Sequence, residues 1–454
     1  MIAAAVPAEA GTAMHELMTE LYPICRSITG EGYRTTMAIL AKHLDLDVRE
    51  VPSGTQVFDW TIPREWNIRD AYVANSRGER VIDFRDSNLH VVSYSVPVDA
   101  RMSLTELRKH LHTMPEHPDW IPYRTSYYAE DWGFCLTHRQ LEALPEGSYH
   151  VVIDASLSEG HLTWGECLIE GASPDEVLLS AHACHPSLCN DNLSGVVLAT
   201  FLAKALAGAS LKYSYRFLFV PGTIGAIAWL AHNQDKLDRV KAGLVLTCVG
   251  DGGGFTYKRS RRGDAEVDRV MSYVLATSDH PYELVDFSPY GYDERQFCSP
   301  GFNLPVGSLN RTPYTRFPEY HTSADNLDFV RPEHLAGSYA LTLSALRVLE
   351  ENDAFVNLNP KCEPQLGRRG LYGSLGGGKE TAQSQLALLW VLNLSDGEHS
   401  LLDVAERSGL PFELLVDAAN ALLDVGLLAR CEEMEPDAAG EPAGPGRTVQ
   451  WRKR

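Results

Sequence analysis

The sequence predicts an α/β protein built on a mixed sheet flanked by helices, with a small β-rich insertion domain and a C-terminal winged-helix domain. Three observations carry this. Short apolar runs alternate with helical ones from about Tyr149 to Asn352. The stretch 51–148 is instead rich in β-branched and aromatic residues between polar turns. After a segment loaded with Pro and Gly, three compact helical patterns follow. The expected division is a discontinuous α/β domain (1–50 and 149–352), an insertion (51–148), a linker (353–378) and a winged helix with a flexible tail (379–454).

The elements follow in chain order. Residues 14–44 place Met14, Leu17, Leu21, Met37, Leu40 and Leu44 at helical spacing, around the glycine-bearing turn CRSITGEGYR. VFDWTIP, AYVAN, RVIDF and LHVVSYSVPV read as short strands, and MSLTELRKHL as one helical piece. EVLLSAH is a short buried strand, SGVVLATFLAKAL a helix, YRFLFVPG a strand, TIGAIAWLAHN a helix and AGLVLTCVGD a strand. Such alternation argues for a sheet with helices on its faces. PEHLAGSYALTLSALRVLEEN is a long helix. NPKCEPQLGRRGLYGSLGGGKE is the linker. QSQLALLWVLNL, SLLDVAERSG and PFELLVDAANALLDVGLL are the three helices of the winged helix, and EPDAAGEPAGPGR is the tail.

Composition narrows the function. The 454 residues are 44% hydrophobic and 22% charged, which suits a chain with real cores. The net charge of −20 disfavours nucleic acid or an anionic membrane as partner. The last helix of the winged helix carries Glu413, Asp417 and Asp424 and no Lys or Arg, so the module is expected to pack or to contact protein, homo-oligomerisation included. No apolar run reaches the ~20 residues of a membrane span. The N-terminal stretch lacks a basic region before its apolar residues and does not read as a signal peptide. Nine scattered cysteines then suggest reduced thiols and a cytoplasmic setting.

The chemistry concentrates in SAHACHPSLCNDNLSG, where the strand EVLLSAH gives way to a helix. Ligands collect beyond the carboxyl ends of strands in open α/β sheets. EVLLSAH delivers His182 and His185, AGLVLTCVGD delivers Asp251, and LPVGSLN leads to His321 in YHTSADNLD. Asp191 follows His185 by six residues. Neutral imidazole nitrogen and carboxylate oxygen are what Zn²⁺ takes, at about 2.0–2.2 Å. His185 and Asp191 are placed to supply such ligands. Two histidines three apart around a turn do not easily face one ion, so His182 is expected behind the ligands. Asp325, four residues past His321, is expected to orient that imidazole. Cys184 and Cys189 lack a second pair and read as buried small residues. Arg26 in the CRSITG turn, and Arg311, Tyr314 and Arg316 ahead of His321, are candidates to hold a substrate carboxylate.

His185, Asp191-Asn192-Leu193-Ser194-Gly195, Asp251, His321-Thr322 and Asp325 resemble the motifs of the M28-type co-catalytic zinc aminopeptidases. LYPICRSITGEGYR, SGTQVFDWTIPREWNIRDAY, SYYAEDWGFC, CHPSLCNDNLSG and YHTSADNLD resemble, over nearly the full chain, the DUF4910 type of aminopeptidase-like protein, in which a DUF2172-type insertion interrupts the peptidase domain and a winged helix follows. The resemblance implies a zinc-aminopeptidase-like fold, one or two Zn²⁺ ions or another divalent metal, His185, Asp191, Asp251 and His321 as the metal ligands, and Asp191 as the bridge between two ions. It implies hydrolysis of an amide in a small peptide or an aminoacylated metabolite, in a bacterial biosynthetic setting. The departure is PGTIG. The M28 enzymes place a glutamate pair here, one the general base and the next a ligand; this chain has Gly222 and Thr223. One ion instead of two, a base recruited from elsewhere, or no hydrolysis would each follow. The expected recruits are Glu294 and Asp293 in YGYDERQF. The alternative function is a non-hydrolytic metal- or ligand-binding protein on the same fold.

Overall fold

Strand Glu176–His182 sits in the middle of the large sheet, and every one of its residues is buried. Its neighbours Ser214–Val220 and Val240–Leu246 are equally apolar and run parallel to it. Strands covered on both faces read as continuous apolar runs, which is why EVLLSAH and YRFLFV stand out in the sequence. Parallel neighbours need crossovers, supplied by helices Ser194–Leu206 and Ile224–His232. The sheet has eight strands, in the order 47–52, 161–169, 214–220, 176–182, 240–246, 306–310, 255–258 and 282–285. It is mixed: 161–169 is antiparallel to both neighbours, and 255–258 is antiparallel to 306–310.

The computed structural model describes residues 7, 9–371, 379–431, 434–436 and 451–453. It divides into two compact units, Met1–Leu343 and Ser344–Arg454. Within the first, a four-stranded antiparallel sheet in the order 80–83, 65–74, 148–158, 98–103 forms the β-rich insertion. Residues 149–158, assigned from sequence to the α/β domain, pair inside this sheet. Their alternation, with Tyr149, Val151, Ile153 and Ala155 buried, suits a sheet with one covered face. After the turn at Glu159–Gly160 the chain enters the large sheet as His161–Ile169.

In the second unit, helices Lys379–Leu394, Leu401–Ser408 and Phe412–Asp424 accompany a three-stranded sheet. Part of the expected linker is structured: Ala354–Asn357 is the middle strand, between Asp396–Ser400 and Leu428–Arg430. Ser400 starts its helix with a reciprocal cap, its hydroxyl accepting from the Asp403 N–H while the Asp403 carboxylate accepts from the Ser400 N–H. Within the expected flexible tail, residues 437–447 lie outside the described residues. Among the described residues, no helix is long and apolar enough to cross a membrane.

Candidate metal centre

Three imidazoles converge on one buried carboxylate. His182, the last residue of the central strand, has Nε2 2.8 Å from Asp191 Oδ1. His321 Nε2 is 2.9 Å from Asp191 Oδ2, and His185 Nε2 is 3.8 Å from the same oxygen. His182 and Asp191 are fully buried and His185 nearly so, while the His321 side chain keeps 34% of its surface open. Among the described residues, His182, His185 and Asp191 form the one group of three or more such side chains whose ligand atoms all lie within 4.8 Å of one another. The Cys184 thiol sits 3.5 Å from His185 Nδ1, on the ring edge away from Asp191.

The charges suit a cation. Burial pushes the His185 imidazole down to about 3, against the pull of Asp191, so at neutral pH its nitrogens are unprotonated or neutral donors. Burial alone would raise the Asp191 carboxyl, but the surrounding histidines hold it well below its usual range, as an anion. Neutral imidazole and ionised carboxylate are the forms that bind a divalent metal.

The backbone around Asp191 is tied down by its own motif. Asp325 accepts the N–H of Asn190 (2.5 Å) and of Asp191 (2.9 Å). Asn192 donates to the carbonyl of Leu246 (3.0 Å) and accepts the N–H of Gly195 and Cys248 (both 3.2 Å), joining the turn to the neighbouring strand end. Ser194 donates to the Asn190 carbonyl (2.7 Å) and accepts from Val249 N–H (3.1 Å). The NDNLS residues thus fix where Asp191 points.

Several sequence expectations change here. His182 stands in the cluster, because it ends an extended strand and the following turn brings His185 back beside it, ring centroids 5.1 Å apart. Asp251 does not join the cluster. The strand ends at Leu246, and the loop beyond it turns the Asp251 carboxylate into hydrogen bonds with Thr312 Oγ1 (2.6 Å), Gly253 N (2.7 Å) and Asn190 Nδ2 (3.0 Å). Asp325 supports the 190–191 backbone and makes no hydrogen bond to the His321 ring. Arg311 is buried, donating to Gly253 O (2.7 Å) and Ser338 Oγ (3.0 Å) with its guanidinium over Phe255, so it is a brace. Arg316 pairs with Glu283 at the surface. Tyr314 packs against Tyr290 and Tyr320. Arg26 is buried behind the cluster, donating to the His185 carbonyl (3.0 Å), and its Nη2 has no partner.

The two carboxylates expected as recruits behave differently. Glu294 is ion-paired with Lys258 and accepts the Tyr292 N–H, so it holds its own loop. Asp293 is fully buried with neither oxygen hydrogen-bonded. Burial, with Glu294 beside it, pushes its carboxyl well above the usual range. Aromatic residues close the site, and the sequence reading missed them. The Tyr320 ring stacks on His321 at 3.9 Å, and the Tyr123 ring meets both His321 (5.1 Å) and His185 (5.2 Å) edge-on. The Tyr292 ring covers His182 at 3.7 Å. Only the tyrosine content of PYGYDERQF and RFPEYHT hinted at this.

Comparison with known proteins identifies the family and the fold. Residues 15–352 match a domain of unknown function, DUF4910, and residues 353–430 match a winged helix-turn-helix. A protein of Clostridium acetobutylicum named "Putative polysaccharide biosynthesis protein with aminopeptidase-like domain" is 56% identical over 420 residues, which span 92% of this chain and 96% of that one. A crystal structure from the same organism superposes with a TM-score of 0.88 at 55% identity, over 93% of this chain and 97% of the other. The fold is shared more distantly with a zinc aminopeptidase of Bacillus subtilis (TM-score 0.56, 14% identity, 75% of this chain and 94% of that one). It is shared likewise with an M28 peptidase precursor of Shewanella amazonensis (0.54, 13%, 76% and 93%). The chain therefore belongs to the DUF4910 family, an aminopeptidase-like α/β fold followed by a winged helix.

Proposed function

We propose that this chain is a metal-dependent hydrolase that cleaves an amide bond in a small peptide or an aminoacylated metabolite. The observation that carries the reading is the meeting of His182, His185 and His321 on the buried Asp191. Imidazole nitrogens gathered around one carboxylate fit Zn²⁺ or a similar borderline cation. Such an ion would polarise an amide carbonyl and acidify water at neutral pH. The chain's own part is to hold and to exclude. Asn192, Ser194 and Asp325 fix the Asp191 turn, while Tyr123, Tyr292 and Tyr320 pack their rings against the imidazoles. His321 is the open side, so substrate enters there. The related protein's name supports a substrate drawn from surface-polysaccharide synthesis, such as an aminoacylated sugar.

One observation favours a second reading, a protein that binds its ligand without cutting it. Gly222 offers no carboxylate and Glu294 is neutralised by Lys258. One assay separates the two. Aminoacyl amides and aminoacylated amino sugars are incubated with the protein and Zn²⁺, Mn²⁺ or Co²⁺, beside Asp191→Asn. Turnover that disappears in the variant supports the hydrolase. Saturable binding without turnover supports the second reading.

A further inference from the structure

We propose that the centre takes one divalent cation, and that Gly222 and Tyr292 together fill the place from which a second would be held. The inference rests on the metal-binding reading above and concerns how many ions the chain can carry.

Space is the first argument. A β-carbon built on Gly222 would collide with the Tyr292 ring and stand 2.7 Å from its hydroxyl oxygen. No side chain can leave the backbone at 222 while Tyr292 is in place. The loop that carries Tyr292 is pinned. Lys258 donates to the carbonyls of Ser288 (3.3 Å) and Tyr290 (3.2 Å) and pairs with Glu294, whose carboxylate accepts the Tyr292 N–H at 3.0 Å. The ring is thereby laid over His182 at 3.7 Å, on the side facing Gly222.

Charge is the second argument. Among the described residues, the cluster contains one carboxylate, Asp191. Of the other acids nearby, Asp325 is engaged by the Asn190 and Asp191 N–H groups, Asp251 by Thr312, Gly253 and Asn190, and Glu294 by Lys258; Asp293, buried and without a hydrogen bond to either oxygen among the described residues, lies outside the cluster. One dication against Asp191 leaves a single positive charge to be met by substrate or water. Two dications would leave three, in a buried setting where unpaired charge is strongly disfavoured. The Arg26 guanidinium, buried against the His185 carbonyl and without an acid partner among the described residues, adds to the repulsion.

Donor count is the third. Asp191 is met by His182 at one oxygen and by His185 and His321 at the other. These donors gather in one group, and among the described residues no second group of three His, Cys, Asp or Glu side chains is placed to hold another ion.

The test is a count. The full-length protein is equilibrated with excess Zn²⁺, exchanged into metal-free buffer and analysed for zinc per chain. Co²⁺ titration followed by its visible absorption gives an independent stoichiometry. One equivalent in both is the expected result. Two equivalents overturn the proposal and leave the metal reading intact, whereas zero overturns both. Tyr292→Phe keeps the ring and is expected to keep one equivalent; a second equivalent in it would show that the ring does not exclude an ion. Gly222→Glu combined with Tyr292→Ala is expected to gain a second equivalent. If that double variant is folded by circular dichroism and still takes one, Gly222 and Tyr292 are not the excluding pair.

Discussion

Tyr292 lies across the α-carbon of Gly222, so the absence of a side chain at one position and the presence of an aromatic ring at the other are a single structural fact. The ring then packs on His182, which meets Asp191 at 2.8 Å. A change at Gly222 should therefore be felt at the metal centre through Tyr292. Gly222→Ala is expected to destabilise the fold by roughly 1–3 kcal/mol through overpacking. In Gly222→Ala with Tyr292→Ala the penalty should fall well short of the sum of the two single changes, because the clash is gone. Urea unfolding of the four proteins measures this, and additive penalties would mean that the two positions are independent.

Asp325 holds the backbone that aims Asp191 and does not touch the ligand nitrogens. Asp325→Ala should weaken metal affinity roughly 10–100-fold, as loss of outer support does elsewhere. Competition against a chelator of known affinity measures it. Asp325→Asn, which keeps one acceptor, should fall between the two. Unchanged affinity in Asp325→Ala would show that the 190–191 turn holds without it.

The architecture was more legible than the site. Strands 176–182 and 214–220 announce themselves because both faces are buried and no polar alternation breaks the run. Asp191 can be read from the NDNLSG turn, in which Ser194 donates to the Asn190 carbonyl and Asn192 accepts the Gly195 N–H, and His321 from the YHTSADNLD run; the bonds that tie this turn to Leu246 and Asp325 are not local. Asp251 closes the apolar run AGLVLTCVGD and so reads as a strand end, whereas the ladder stops at Leu246 and the loop beyond re-aims the carboxylate. His182 was set aside on turn geometry, yet an extended strand end followed by a sharp return places both histidines on one carboxylate. Glu294 was legible as a carboxylate near the site and not as one already paired, since Lys258 comes from a strand 36 residues earlier (294 − 258). Nothing local in a sequence reports such a partner.

That pair yields its own expectation. The Lys258 and Glu294 side chains are 12% and 1% exposed, so removing one leaves a charge poorly solvated. Glu294→Gln should cost about 3–5 kcal/mol, and Glu294→Gln with Lys258→Met distinctly less. If Glu294 were the general base, the double variant would abolish turnover while metal content stayed constant. The account expects turnover to survive wherever Tyr292 keeps its place.

Glu65 governs acid stability in the insertion. Burial raises its carboxyl, but hydrogen bonds from Arg34, Asn67 and the His161 N–H outweigh this and hold it at about 2. A depressed carboxyl contributes stability that is present above the unfolded value of about 4.3 and lost as pH falls toward 2. Glu65→Gln should lower stability by about 2 kcal/mol at pH 7, with the difference from the parent shrinking between about pH 4.5 and 2. Denaturant midpoints at pH 7, 4.5 and 3 check the sign, and a deficit that grows on acidification would contradict it.

The proposed metal dependence requires that His182, His185, His321 and Asp191 share a cation. Crystals grown with zinc, measured on both sides of the zinc absorption edge, test it most directly. An anomalous peak bounded by those four side chains is expected, with Asp251 and Glu294 outside its coordination shell. A peak ligated by Asp251 or Glu294, or none in zinc-saturated crystals, would contradict it.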